Sequence, residues 1–141
     1  MAQLTAGEAR ARFAMAPVAR LATMTPDGGP HIVPVTFAIE DDQVFVAVDA
    51  KPKSTRDLAR LRNIRANPRV ALLADHYEED WAALWWARAD GEARVVTGQA
   101  ERAGPITLLE RRYPQYQADP PPGPVIAVAV LRWSGWAARH G

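Results

Sequence analysis

Between Lys51 and Arg69 the chain sets Lys51, Lys53, Arg56, Arg60, Arg62, Arg65 and Arg69 against one acid, Asp57. The local charge is +6, inside a 141-residue chain whose formal net charge is +1 at pH 7. Like charges crowded in this way repel, and a bound anion offsets that cost. The spacing points to phosphate. Lys51 and Lys53 leave the end of an alternating apolar run, and Ser54 or Thr55 can cap a helix. A helix start presents free backbone N–H groups and a partial positive charge, both suited to phosphate. Arg56 and Arg60 are four apart and share a helical face. Leu58, Leu61 and Ile64 recur at three-residue spacing and form the buried stripe. The candidate anion ligands are therefore Lys51, Lys53, Ser54, Arg56 and Arg60. The competing reading is a solvated basic face paired with the acids of residues 75–92. Nucleic acid is a poor match, because no aromatic residues interleave with the cations as a stacking platform requires.

Two other features bear on chemistry. Pro34 interrupts the otherwise regular run from His31 to Glu40, and proline donates no ladder hydrogen bond. The spacing predicts an edge or bulge there, with neighbouring N–H and C=O groups free to face a ligand; a plain edge strand is the alternative. Trp81, Trp85 and Trp86 gather near Tyr77 and Leu84. Adjacent residues on a strand face opposite sides, so one of Trp85 and Trp86 enters the core and the other meets solvent, an interface or a planar ligand.

Other chemistries are excluded by what is missing. The chain has no cysteine, so it has no disulfide, zinc-thiolate site or thiol nucleophile. Neither Ser54 nor Ser134 lies in G-x-S-x-G, and neither Gly-rich nucleotide loop is present. His31, His76 and His140 are scattered, and no metal-ligand spacing is matched. No run reaches 18 apolar residues, and Met1-Ala2-Gln3-Leu4 does not begin a signal peptide. A cytoplasmic protein without membrane or nucleic-acid partners is expected.

The elements that must position these groups read as follows. Thr5 and Glu8 have capping-box spacing for a helix to about Ala16, with Phe13 buried and Pro17 ending it. Val18 to Thr25 is a strand, Pro26-Asp27-Gly28-Gly29 a turn, and His31 to Glu40 the returning strand. Val44 to Val48 follows, then the basic helix to Ala66, stopped by Asn67-Pro68. Arg69 to Asp75 is a strand and His76 to Asp80 an acidic loop. Trp81 to Ala89 and Glu92 to Glu101 read as strands joined by a tight Asp90-Gly91 hairpin. Gly104-Pro105 opens a helix to about Arg112. Pro120 to Pro124 is an extended connector, and Val125 to Trp133 the last strand. Seven strands and three short helices, not alternating, predict one mainly β domain over residues 1–141, a small antiparallel barrel with helices outside it.

Taken in order, the residues resemble a known family. Val18-Ala19-Arg20-Leu21-Ala22-Thr23 precedes Asp27-Gly28-Gly29-Pro30-His31-Ile32-Val33-Pro34-Val35-Thr36-Phe37. Then comes the basic stretch Arg60-Leu61-Arg62-Asn63-Ile64-Arg65-Ala66-Asn67-Pro68-Arg69-Val70-Ala71-Leu72. The set resembles the pyridoxamine-phosphate-oxidase-like split β-barrel proteins. The stretch from Asp75 to Trp81, with Leu84-Trp85-Trp86 and Ala89-Asp90-Gly91, is similar to their coenzyme F420-dependent, deazaflavin-using branch. The resemblance implies an antiparallel split β-barrel with short peripheral helices, and a homodimer with cofactor grooves between subunits. It implies an oxidoreductase that passes hydride between reduced F420 and a small unsaturated molecule. FMN is the alternative cofactor, and a non-catalytic flavin- or deazaflavin-binding protein the alternative role. Carried over residue by residue, Lys51, Lys53, Arg56 and Arg60 hold the phosphate, and backbone at Val33, Pro34, Val35 and Thr36 lies along the ring. Tyr77, Trp81, Trp85 and Arg88 border the site, from the same subunit or from its partner. Relatives often carry Lys where this chain has Arg60, which keeps the charge and adds a bidentate donor. The cofactor carries the hydride, so no catalytic constellation is required, and Tyr77 and His76 are the candidate proton donors.

Overall fold

The computed structural model describes residues 2–48 and 55–138, with residues 55–58 described by backbone alone. After a two-residue strand β1 (Ala2–Gln3), helix α1 (Ala6–Met15) starts at the expected capping box. The Glu8 N–H donates to Thr5 Oγ1 at 3.1 Å, and the Thr5 N–H to Glu8 Oε1 at 2.8 Å, which satisfies two of the helix's unbonded N-terminal donors. Phe13 is fully buried, its ring centroid 4.8 Å from that of Phe37 and 5.3 Å from that of Trp133.

Strands β2 (Ala19–Met24) and β3 (Pro30–Val35) flank the expected turn, where Gly28 takes φ +88°. Strands β4 (Phe37–Glu40) and β5 (Gln43–Ala47) follow, then α2 (Thr55–Ala66) and β6 (Arg69–His76). A 3-10 turn (Trp81–Ala83) leads to β7 (Trp85–Val96). Helices α3 (Gln99–Arg112) and α4 (Gln115–Ala118) precede β8 (Val125–Ala137).

All pairings are antiparallel, in the order β3-β2-β6-β7-β8-β5-β4, with β1 added on β8. Strands β3 and β4 are consecutive in the chain, yet they occupy opposite ends of that path with Thr36 alone between them. The sheet must therefore curl until its ends meet. The result is a mainly β, antiparallel split barrel. Its interior holds Leu21, Val35, Val44, Val46, Leu72, Ile126 and Val128, with Leu61 and Ile64 of α2 packed in. Strand β5 is buried on both faces: Phe45 and Ala47 point away from the barrel interior and are covered by Ile106, Leu108 and Leu109 of α3.

Several sequence expectations are corrected. Asp90-Gly91 is not a hairpin. β7 runs straight through it, and Gly91 has no positive φ. A Cβ at Gly91 would stand 2.2 Å from the carbonyl oxygen of Ala129, so the glycine serves a close strand approach rather than a turn. The irregularity lies opposite, in β8: Asp90 pairs with Arg132 and Gly91 with Val130, leaving Leu131 as an extra, exposed residue. Trp81 starts a 3-10 turn instead of a strand, because Asp80 caps Ala82 N–H at 3.0 Å. Gly104-Pro105 lies within α3, which starts five residues earlier after Gly98, and glycine before proline removes the Cβ that would clash there. The run from His31 to Glu40 is two strands. The described residues form eight strands and four α-helices, and β8 continues past Trp133 to Ala137.

Candidate functional site

The break between β3 and β4 opens a cleft of about 210 Å³, lined by Val18, Pro34, Val35, Thr36, Ala47, Arg60 and Tyr116. Four of the expected residues meet here: Pro34, Val35, Thr36 and Arg60. Among the described residues strand β3 pairs on one side only, with β2, which is the setting that tolerates a proline. At the break the backbone turns from one pairing to another. Thr36 C=O accepts from Ala47 N–H at 3.4 Å, and Phe37 N–H donates to Tyr113 Oη at 3.1 Å. Tyr113 Oη in turn donates to the Pro17 carbonyl at 3.0 Å. The Thr36 hydroxyl pairs with Tyr116 Oη at 2.7 Å.

Arg60 comes from α2 and is 8% exposed. Its direction is fixed by its helix. Asn63, one turn on and 2% exposed, donates from Nδ2 to buried Thr23 Oγ1 at 3.1 Å, and Leu61 and Ile64 pack inward. These contacts lock the rotation of α2 against β2. They turn Arg60 into the cleft and leave Arg62, Arg65 and Arg69 exposed. Among the described side chains the cationic cluster is thus divided between one buried guanidinium, Arg60, and an exposed face. Lys51, Lys53 and Ser54 lie outside the described residues, as does the side chain of Arg56.

Other expected site residues lie elsewhere. Val33 packs against the core, which leaves its backbone, not its side chain, as the part that can meet a ligand. Trp85 also packs on the core, with the Arg12 guanidinium 5.9 Å from its ring centroid, and does not line the cleft. Alternation along β7 decides this, since Ala87 and Ala89 share its inward face. Trp86 is the outward one and carries Arg88 at 5.5 Å. Arg88 also bonds Asp90 at 3.1 Å. Tyr77, 67% exposed, borders a separate hollow of about 250 Å³ with Leu73, Asp75, Trp86 and Arg88. His76 Nε2 is 3.3 Å from Glu78 Oε2. Neither Tyr77 nor His76 lines the Arg60 cleft.

Val18, Ala47 and Tyr116 were not foreseen as site residues. Val18 and Ala47 gave no signal beyond strand patterning. Tyr116 follows a helix that the sequence ends near Arg112, and only its three-residue spacing from Tyr113 hints at a further turn. A wider hollow of about 680 Å³ crosses the outer sheet face, bordered by Met24, Pro30, Arg69, Arg88, Leu131 and Arg132 among others. Pro30, Ile32 and Pro34 share one face of β3, so this outer surface is continuous with the cleft. Among the described residues no group of three His, Asp or Glu side chains could hold a metal. No helix there is long and apolar enough to cross a membrane.

A family model for pyridoxamine 5'-phosphate oxidase matches residues 5–137. The chain belongs to the pyridoxamine 5'-phosphate oxidase family. That family is flavin-binding and includes oxidoreductases. Solved structures with the same fold include an FAD-binding protein from Mesorhizobium loti (20% identity, 95% of each chain covered, TM-score 0.71). An FAD-binding protein from Mycobacterium smegmatis is 21% identical over 96% of this chain and 97% of its own, with a TM-score of 0.67. A heme-binding protein from the same organism is 22% identical, covers all of this chain with 57% of its own, and has a TM-score of 0.75. At these identities the likeness to each is one of fold. Comparison with curated proteins found no match.

The donor set suits a flavin-type ligand of this oxidase family. The buried Arg60 guanidinium would supply charge for a phosphate, Val18, Val35 and Ala47 an apolar wall, and the Thr36–Tyr116 pair neutral polar contact.

Proposed function

We propose that this oxidase-family protein binds a phosphorylated tricyclic cofactor, coenzyme F420 with FMN as the alternative, in the cleft at the β3–β4 break. We further propose that it works as an oxidoreductase on a small unsaturated substrate. The observation that carries the reading is the convergence of Arg60 with Pro34, Val35 and Thr36 in one cleft. Arg60 holds the phosphate through charge-assisted hydrogen bonds, with Lys51, Lys53 and Arg56 contributing from the same connection. Backbone along Pro34 to Thr36 lies beside the ring, and Val18, Val35 and Ala47 exclude water from it. When bound, the reduced cofactor supplies hydride; the protein supplies position, shielding and charge.

The site is proposed to be completed by a second copy of the chain. Small-molecule pockets usually measure about 300–1,000 Å³, so 210 Å³ is part of a site. The outer face continuous with it exposes Ile32 (64%), Met24 (37%) and Leu131 (74%), apolar residues that a second copy would cover. The fold shared with FAD-binding and heme-binding proteins supports a second reading, a cofactor carrier without turnover.

Titration of the purified protein with F420, FMN and haem tests both readings. Arg60→Ala is expected to weaken the preferred flavin-type ligand tenfold or more, the scale of a hydrogen bond to a charged group, about 1.5–3 kcal/mol. Lys53→Ala is expected to weaken it less. Unchanged affinity in both variants removes the phosphate assignment. Ring binding without oxidation of the reduced cofactor by any of a panel of quinones and enones selects the carrier.

A further inference from the structure

Strand β4 ends the sheet path and pairs with β5 alone among the described residues. Its open edge forms one side of a hollow of about 280 Å³ between the last turns of α1 and α3, bordered by Ala14, Ile39, Leu108, Arg111 and Arg112 among others. Leu108, Arg111 and Arg112 are three and four residues apart, so one face of α3 supplies an apolar wall and two cations. A helix C-terminus favours cations in its last turn, which accounts for their charge but not for their place beside an apolar hollow. Arg112 donates from Nη2 to the Ala16 carbonyl, and its guanidinium lies 5.6 Å from the ring centroids of both Phe37 and Tyr113. These contacts hold it at the rim. Among the described residues Arg111, which is exposed, forms no ion pair, and no acid lines the hollow. The register of β4 adds a third donor. Ala38 pairs with Phe45, and the Ala47 N–H donates to the Thr36 carbonyl, so Phe37 and Ile39 turn their N–H groups away from β5. The Phe37 N–H is taken by Tyr113 Oη at 3.1 Å. Among the described residues the Ile39 N–H meets no acceptor, and it faces the same side.

We propose that this hollow is a binding site for a small apolar monocarboxylate, an aryl or short alkyl acid. The carboxylate accepts hydrogen bonds from Arg111, Arg112 and the Ile39 N–H, and the body of the acid lies against Ala14, Ile39 and Leu108. A carboxylate has about four lone-pair sites for these donors, and charge-assisted bonds to guanidinium are the strong kind. The apolar wall selects against inorganic anions, which have nothing to lay on it. The volume suits a small molecule, near the lower end of the usual 300–1,000 Å³. An extended peptide added to the β4 edge would have to displace Tyr113 from the Phe37 N–H, so the edge receives a single group and not a strand. The hollow shares no lining residue with the Arg60 cleft, and the inference stands apart from the cofactor reading.

The test titrates benzoate and hexanoate, with benzamide and hexanamide as neutral controls, into the full chain as wild type, Arg111→Gln, Ala14→Leu and Arg60→Ala. Affinity is read by calorimetry, the backbone amide resonances by NMR, and the melting midpoint alongside. Wild type is expected to bind both acids about tenfold or more tighter than their amides, and the Ile39 amide resonance should move as the acid is added. Arg111→Gln is expected to weaken the acids about threefold to tenfold, the range for a charged partner at an exposed position. Ala14→Leu puts a good helix former into α1 and fills the hollow, so binding should be lost while the melting midpoint holds. Arg60→Ala should bind the acids as wild type does. Acids that bind wild type no tighter than their amides overturn the proposal. So does binding that survives in both Arg111→Gln and Ala14→Leu, or binding lost in Arg60→Ala alone, which moves the acid to the β3–β4 cleft. Should Ala14→Leu fail to fold, Arg111→Gln and the Ile39 resonance decide: unchanged affinity with an unmoved resonance overturns the site.

Discussion

Arg60 and Asn63 lie three residues apart on α2, and both are buried although both are polar. Asn63 is held by Thr23, and that bond sets the helix rotation that aims Arg60. Asn63→Ala leaves the Thr23 hydroxyl buried without this partner. It should cost about 1–3 kcal/mol of stability in urea unfolding, and weaken flavin binding less than Arg60→Ala does. A second residue-scale prediction concerns Asp27 in the β2–β3 turn. Its carboxylate accepts from the Thr25 hydroxyl and from turn backbone, which hold its pKa below the usual carboxylate value. A carboxyl with a lower pKa folded than unfolded adds stability above the unfolded value, and loses it as pH falls through the folded one. An NMR titration of Asp27 should therefore give a midpoint below that of an unfolded-chain reference, and Thr25→Val should move it back up. At this scale the sequence was informative about type and not about aim. It singled out seven cations, but Arg60 alone of the four with described side chains is buried, and only packing chose it.

Elements were legible wherever their signal was local. The Thr5–Glu8 capping box, the Gly28 turn and the Asn67-Pro68 stop act over three or four residues, and all are where the sequence put them. Asp90-Gly91 failed because a glycine allows two things, a left-handed backbone or a close neighbour, and the neighbour is β8, about forty residues away in sequence. Gly91→Ala should accordingly be severe. Its Cβ meets backbone at 2.2 Å, which side-chain repacking cannot relieve, so a loss of more than the usual 1–3 kcal/mol of overpacking is expected. Gly7→Ala is the contrast. It lies in α1 with nothing within 4 Å of the new Cβ, and should be neutral or gain up to about 1 kcal/mol. Thermal melts of the two variants side by side check this. A large loss in Gly7→Ala, or none in Gly91→Ala, would refute the distinction between the two glycines.

For the whole molecule, the two-copy site predicts a mass twice the 15.5 kDa of one chain in light scattering. Ile32→Arg, at a position 64% exposed, should return the single-chain mass at little cost to folding and weaken flavin binding in step. A single-chain mass for wild type, with full flavin affinity, would refute the shared site. What the amino-acid order settled unaided was mostly short-range. It set an antiparallel, mainly β chain, most of its helix starts and stops, and a cationic connection beside a proline-broken strand, because alternation, caps and charge density act between near neighbours. What needed the folded chain was every relation between distant segments. The closure of the sheet at Thr36, the aim of Arg60, the inward turn of Trp85 and the arrival of Tyr116 at the cleft all follow from strands and helices packing across scores of residues. Pairwise patterning carries no record of such distances, because the energy that selects them is burial shared by the entire core.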